Sequence, residues 1–282
     1  MFVGIKTDVE YKRENMKSLR VALFSIVLLG ASLDAYSQSR FAKDTRVKAF
    51  GPGEELHYVL HYGFITGGRA SLIVKDTVFD NKRVYHMKGM GYTSGLADKI
   101  FRVRDVYESF FDPESMYPVK SIRNISEGRY RWYNEALYRH DKDSTYVNSK
   151  RSGEKYVAPG IYDVVSAFYI GREKYFNDNL IEGQIIKIVT YFADEEFPLL
   201  IRFRGVEKIK TKFGELECYK FSPVTEVGRA FKTEDDMHVW ITRDANRVPV
   251  RIKFNLVVGS FTCDLDSFKG LMNPFSSIVP KK

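Results

Sequence analysis

Residues 54–64 read Glu-Glu-Leu-His-Tyr-Val-Leu-His-Tyr-Gly-Phe. Leu56, Tyr58, Leu60, Tyr62 and Phe64 take alternate positions, with Glu55, His57 and His61 between them. A period of two sends the two sets to opposite faces of a β-strand, one to be buried and one to meet water. The same alternation continues outward along the chain. Ala70, Leu72 and Val74 alternate with Ser71 and Lys75 in 69–79, and Phe101, Val103 and Tyr107 with Arg102, Arg104 and Glu108 in 101–111. Tyr130, Trp132, Ala136 and Tyr138 alternate with Arg131, Glu135 and Arg139 in 129–140. Segments 184–193, 197–204, 206–213, 215–222, 235–243, 248–257 and 260–267 follow the same rule. Turn-forming residues separate them at Thr66-Gly67-Gly68, Asp80-Asn81, Glu127-Gly128, Phe213-Gly214, Asp244-Ala245-Asn246 and Val258-Gly259. Short strands joined by tight turns predict antiparallel, mainly β structure.

One segment departs from this period. After Pro159-Gly160, the residues Ile161, Val164, Val165, Phe168 and Tyr169 recur at helical spacing through 161–175. Asp163 stands in the first turn, with Arg172 and Lys174 near the end, an order that suits the helix dipole. A shorter helix or turn is expected at Ser94–Lys99, and the polar stretch Asp141–Lys155 reads as a loop between two groups of strands. The expected architecture is a single curved antiparallel sheet or incomplete barrel, with one helix packed on its concave or open side.

Composition agrees with a packed core. The chain has 282 residues, 44% hydrophobic and 15% aromatic, with 21 Phe and 18 Tyr, which excludes a disordered class. Two cysteines exclude a disulfide-dense scaffold and the four-cysteine zinc modules. Sequence leaves open whether Cys218 and Cys263 pair. The formal charge of +8 spreads along strand faces, as at Lys208, Lys210 and Lys212, and no nucleic-acid motif accompanies it, so no nucleic-acid partner is expected. Near the N-terminus, Lys17 and Arg20 precede a 13-residue uncharged run from Val21 to Leu33. A membrane-crossing helix needs about 20 residues, so this run suits the apolar part of a secretory signal. Small residues at Ala35 and Ser37 place cleavage after Ser37, and Met16-Lys17 offers an alternative start. The expected organisation is a signal peptide over 1–37, an extension over 38–49, one mainly β domain over 50–270 and a tail over 271–282. The mature protein is then periplasmic or envelope-associated, with no transmembrane anchor after processing.

Several pieces, in order and spacing, resemble the DUF3108 family of exported Gram-negative proteins. They are 50–56 (Phe-Gly-Pro-Gly-Glu-Glu-Leu) with Tyr58, then Gly67-Gly68-Arg69-Ala70, 101–109 (Phe-Arg-Val-Arg-Asp-Val-Tyr-Glu-Ser) and 123–128 (Arg-Asn-Ile-Ser-Glu-Gly). Residues 162–169 with Arg172, then 239–244 and Arg247-Val248-Pro249-Val250, complete the set. The resemblance spans about 50–266 and implies a mostly β envelope protein without an established activity. It carries over no catalytic residue.

Standard reaction motifs are absent: there is no P-loop, nucleophile elbow or His-Glu-x-x-His, and Gly89-x-Gly91 with Gly95 misses the dinucleotide spacing. Those glycines read as a place where a strand bends or is closely approached. His57 and His61 lie about 13 Å apart along a strand, too far to hold one ion, so no metal and no cofactor is expected. Asp105 sits on an otherwise apolar strand face and needs a partner, which Arg172 or another arginine would supply. Asp163 and Ser166 suit the first helical turn better than a hydrolytic set, because no base can be placed beside them. The candidates for a ligand-binding site or polar network are therefore Asp105, Glu127, Asp163, Arg172, Trp132 and Trp240. No catalytic residue is assigned, and the expected role is non-catalytic binding or carriage of an apolar or amphipathic envelope component. The alternatives are a carboxylate-dependent enzyme on envelope glycan or lipid, and an assembly factor that binds an envelope protein.

Overall fold

The structure is a computed structural model that describes residues 48–224, 236–256 and 259–280. The predicted signal peptide, nearly all of the 38–49 extension, and Val258 of the last predicted turn lie outside the described residues.

The first half of the chain forms β1 (Glu55–Tyr62), β2 (Ile65–Phe79), β3 (Lys82–Thr93), β4 (Arg104–Asp112), β5 (Tyr117–Glu127), β6 (Tyr130–His140), β7 (Thr145–Ser149) and β8 (Gly153–Val157). The second forms β9 (Ile185–Phe192), β10 (Glu195–Thr211), β11 (Gly214–Pro223), β12 (Met237–Thr242), β13 (Pro249–Leu256) and β14 (Gly259–Lys269). Helix α1 (Gly95–Ile100) interrupts β3 and β4, and α2 (Val164–Ile170), extended by a π-helical turn at Gly171–Tyr175, links β8 to β9. The fourteen strands of the described residues lie in one sheet, ordered β8-β7-β6-β5-β4-β3-β2-β1-β14-β13-β12-β11-β10-β9. Every neighbour is consecutive in sequence except β1 with β14. The sheet is thus two meanders joined edge to edge by that one antiparallel pair.

Curvature brings the outer strands of the two meanders toward each other, and the barrel stays open between β8 and β9. The seam is crossed by the segment entering α2: Tyr162 N donates to Val189 O at 3.0 Å, and Tyr191 N donates to Tyr162 O at 2.7 Å. Helix α2 then fills the concave side. Val74, Met87 and Phe111 from one meander and Ile188, Phe221 and Ile241 from the other pack in one core with its Val165, Tyr169 and Ile170. A second core gathers Leu56, Leu216, Cys218, Trp240 and Leu265. No helix among the described residues is long and apolar enough to cross a membrane.

Several expectations are corrected. The β1–β2 turn falls at Gly63-Phe64, and Thr66-Gly67-Gly68 lies inside β2. A Cβ at Gly68 would stand 2.5 Å from Tyr92 O, so that glycine lets β3 approach. Asp141–Lys155 is not a loop: it holds β7 and most of β8, where Thr145, Val147 and Ser149 alternate inward. The segments 197–204 and 206–213 are one strand, β10, whose register shifts between Phe203 and Val206 around Gly205 at φ +95°. The helix starts at Val164 because Asp163 caps it, and it widens into the π turn at Gly171.

That π turn carries Arg172, the largest fully buried side chain among the described residues. Its Nη1 and Nη2 each donate at 2.7 Å to one carboxylate oxygen of Glu54, itself fully buried. Nη2 also donates to Ala49 O at 3.1 Å and Asn246 O at 2.9 Å, and Nε to Asn246 O at 3.2 Å. Desolvation opposes the charge, but the field and hydrogen bonds of Glu54 outweigh it and keep the guanidinium protonated. A buried fork-to-fork pair of this kind costs desolvation to form and is much worse when halved. Arg172→Met alone is expected to lower stability by about 3–5 kcal/mol in denaturant titration, and adding Glu54→Leu to restore much of the loss.

Cys218 on β11 and Cys263 on β14 are buried and unpaired, separated in the sheet by β12 and β13. Burial pushes both thiols up to about 12, which removes the reactive thiolate at neutral pH. Alkylation in native buffer should therefore be slow with or without reductant, and both thiols should label quickly in denaturant; protection there that reductant relieves would show a bridge.

Candidate functional site

Strands β4, β5 and β6 place Tyr107, Arg123 and Asn134 side by side across the concave face, since Tyr107 pairs with Arg123 and Arg123 with Asn134. Ile125 pairs with Trp132, which brings that ring beside Arg123. The Arg123 guanidinium lies 4.5 Å from the Trp132 ring centre, 4.3 Å from that of Phe192 and 5.6 Å from that of Tyr107. A weakly hydrated planar cation held between ring faces is favourable where water is excluded.

Asp105 and Glu127 lie on the same side. Asp105 accepts from Ser126 N at 3.1 Å, and Glu127, one residue further along β5, is buried. Burial raises the Asp105 pKa, against the lowering effects of the Ser126 N–H, Glu127 and Arg123. The arginine that answers Asp105 is therefore Arg123, and Arg172 is engaged elsewhere, by Glu54.

Asp163 forms the next wall. Its Oδ1 accepts from Val165 N at 2.8 Å and Ser166 N at 3.0 Å, and its Oδ2 from Ser109 Oγ at 2.6 Å and Ser166 Oγ at 2.9 Å. Asp163 N donates back to Ser166 Oγ at 3.0 Å, which completes a capping box. Ser166 is a structural hydroxyl, fully used. Burial raises the Asp163 pKa, and these bonds pull against it.

The β9–β10 turn closes the remaining side. Ala193 and Asp194 both have positive φ, +52° and +70°, the left-handed pair of a tight hairpin without a glycine to ease it. Asp194 Oδ1 anchors the turn, accepting from Ser149 Oγ at 2.6 Å, Asn134 Nδ2 at 2.8 Å and Ser152 Oγ at 3.1 Å. Lys155 Nζ donates to Asp194 O at 2.6 Å, across the seam between β8 and β9.

The half-open cavity lined by Tyr107, Arg123, Trp132, Asn134, Asp163 and Asp194 among others has a volume of about 40 Å³. One water needs about 10–15 Å³ on this measure, so the space holds a few waters. Ligand pockets for larger molecules run to roughly 300–1,000 Å³.

Of the six candidate residues, Trp132 and Asp163 line this cavity, while Asp105 and Glu127 lie on the strands that carry its wall without lining it. Arg172 belongs to the separate lock on Glu54. Trp240 lies in the second core, its Nε1 donating to Glu207 at 3.2 Å with Lys220 Nζ 5.3 Å from its ring centre. Arg123 and Asp194 are the two residues that sequence reasoning missed. The alternation of Arg123 with Ile125 and Glu127 on one strand face was the available sign for the first; the turn chemistry of Ala193-Asp194 gives none for the second. A Cβ at Gly91 would meet nothing within 4 Å and one at Gly89 only ordinary contacts, so close approach explains neither glycine. Among the described residues no three His, Cys, Asp or Glu side chains gather as a metal site.

Comparison with known proteins adds the family and the fold. The family described as "Protein of unknown function (DUF3108)" matches residues 57–266. No curated protein matches. A solved structure of a beta-barrel-like protein of domain of unknown function DUF1849 from Brucella abortus superposes with a TM-score of 0.52 at 10% identity, covering 79% of this chain and 99% of that one. A DUF1089 family protein from Pseudomonas aeruginosa aligns at 9% identity over 77% of this chain and 95% of its own, with a TM-score of 0.29. The first likeness is one of fold, a barrel-like sheet.

Because the folded pKa of Asp105 lies above its unfolded value, the folded state takes up this proton first as pH falls. Its contribution to stability therefore improves as pH drops through the folded pKa and is complete below the ordinary carboxylate value. Asp105→Asn keeps an acceptor for Ser126 N–H and removes the titration. In denaturant titrations its stability relative to the parent should be higher at pH 7 than at pH 4; a difference independent of pH would refute the assignment.

Proposed function

The chain belongs to the DUF3108 family, and we propose that it is a non-catalytic binding protein of the cell envelope that meets an apolar or amphipathic component on its surface. Export to the periplasm is part of this proposal and rests on the 21–33 apolar run with small residues at Ala35 and Ser37. The observation that carries the surface reading is the filled interior. Helix α2 and the side chains of both meanders occupy the concave side, and the cavity of about 40 Å³ beside them is far too small for an acyl chain. Binding is favoured over chemistry because the polar groups of that cavity are committed to one another. Asp163 caps a helix, Asp194 holds a turn and Arg123 is stacked between rings.

Asp105, its pKa raised by burial, and the buried Glu127 motivate a second reading, a carboxylate-dependent enzyme on envelope glycan or lipid. Native mass spectrometry after gel filtration and photo-crosslinking in intact cells separate the two and test the first. The expected result is a chain without bound lipid in solution that crosslinks to envelope components in cells. One acyl lipid retained per chain would move the ligand inside and overturn the surface reading. An envelope phenotype lost in a folded Asp105→Asn/Glu127→Gln variant would favour the enzyme.

A further inference from the structure

Neighbouring strands alternate in direction, so the β1–β2, β3–β4 and β5–β6 connections all leave the sheet at one end. They also touch. Ser94 N donates to Gly67 O at 3.1 Å, Gly128 N donates to Arg102 O at 2.7 Å, and the Phe101 ring packs on Gly128. This end presents its apolar side chains to solvent. Phe64 is fully exposed, and Ile65, Leu96 and Ile100 are 60%, 66% and 77% exposed. Leu96 and Ile100 lie four apart on α1, hence on one helix face, and α1 buries no residue at all. Exposed Tyr62, Tyr92 and Tyr130 stand at the same end.

Exposed basic residues surround this patch, one of which, Arg69, stands 4.0 Å from Asp266 of β14. Arg69, Lys99, Arg102, Arg129 and Arg131 are exposed. The carboxylates of these connections are withdrawn: Asp98 is held by Arg104 at 2.7 Å, and Glu127 is buried. A cluster of exposed apolar side chains marks an interaction surface. Apolar tips with half-exposed tyrosines among basic residues match the layered chemistry of a bilayer surface, with acyl chains below and anionic headgroups at the level of the cations. A second copy of this chain would bring like charges together at the same patch.

We infer that this end of the barrel docks on an anionic lipid surface, with Phe64, Ile65, Leu96 and Ile100 entering the headgroup boundary and Lys99, Arg102, Arg129 and Arg131 contacting lipid phosphates. This deepens the surface-binding reading and rests on it.

The test is co-sedimentation of the purified chain with vesicles of phosphatidylglycerol and phosphatidylcholine, against vesicles of phosphatidylcholine alone. Binding should require the anionic lipid and fall steeply as salt rises from about 0.05 to about 0.5 M, where screening becomes short-ranged. Phe64→Ser/Leu96→Ser/Ile100→Ser and Arg102→Glu/Arg129→Glu should each weaken it by about tenfold or more. These side chains are exposed, so circular dichroism and Tm should match the parent. Unchanged binding in both variants would assign the attachment to another segment, and equal binding to both vesicle types would remove the role of charge; either overturns the inference. Absence of vesicle binding with crosslinks from position 64 to an envelope protein would also overturn it while leaving the surface reading in place. A lipid retained inside the barrel would instead strike the surface reading itself.

Discussion

The buried pair of Arg172 and Glu54 holds together parts of the chain that the sheet alone would leave apart. Glu54 stands just before β1, Arg172 belongs to the π turn after α2, and Asn246 lies in the β12–β13 connection. Hydrogen bonds in the sheet fix neighbouring strands, but they do not tell a helix where to sit on a concave face. A fully buried guanidinium must have its donors satisfied, and here Glu54, Ala49 O and Asn246 O satisfy them from three directions. Any other seating of α2 would leave a charge in a dry interior. The pair therefore acts as a positional constraint more than as a source of net stability. Asn246 extends it, since its side chain donates to Asn273 O and Pro274 O and so ties the segment after β14 to the same point.

The second polar centre, around Arg123, is built differently. Its cation is stacked on rings, and the carboxylates of Asp105, Asp163 and Asp194 near it accept from neutral donors. It lies where the barrel fails to close, between β4–β6 and the turn that joins β9 to β10. Apolar packing alone would leave that gap wet, and the polar network fills it with directed contacts instead. The outward surface shows the opposite allocation, with apolar residues concentrated at the exposed turns of one end.

The alternating pattern was enough to reveal the strand-rich class and most individual strands, because a half-buried strand must alternate whatever it pairs with. It also revealed the helix, where Ile161, Val165, Phe168 and Tyr169 break the period of two. It failed at β7 and β8, whose few residues are polar on both faces and pass for a loop. It failed also at Gly67-Gly68, where glycine serves strand approach and not a turn. Of the site, Asp105 was legible as a carboxylate in need of a partner. Which arginine answers it was not, because Arg123 and Arg172 reach their positions only through sheet register and the seating of α2. Asp194 gave no sign, since its role comes from a hairpin tip meeting strands some 40 to 60 residues away in sequence.

The lone non-consecutive strand pair has a consequence for how the chain is made. Both meanders are assembled from hairpins between sequence neighbours, which form early and locally. The β1–β14 ladder joins residues about 200 apart, as Leu56 with Phe268 and Leu60 with Cys263. During synthesis in order from the N-terminus, β1 has paired with β2 while its other edge waits for β14 to emerge. An open edge is a template for wrong partners. While it waits, that edge is open to misassembly and to capture by a chaperone.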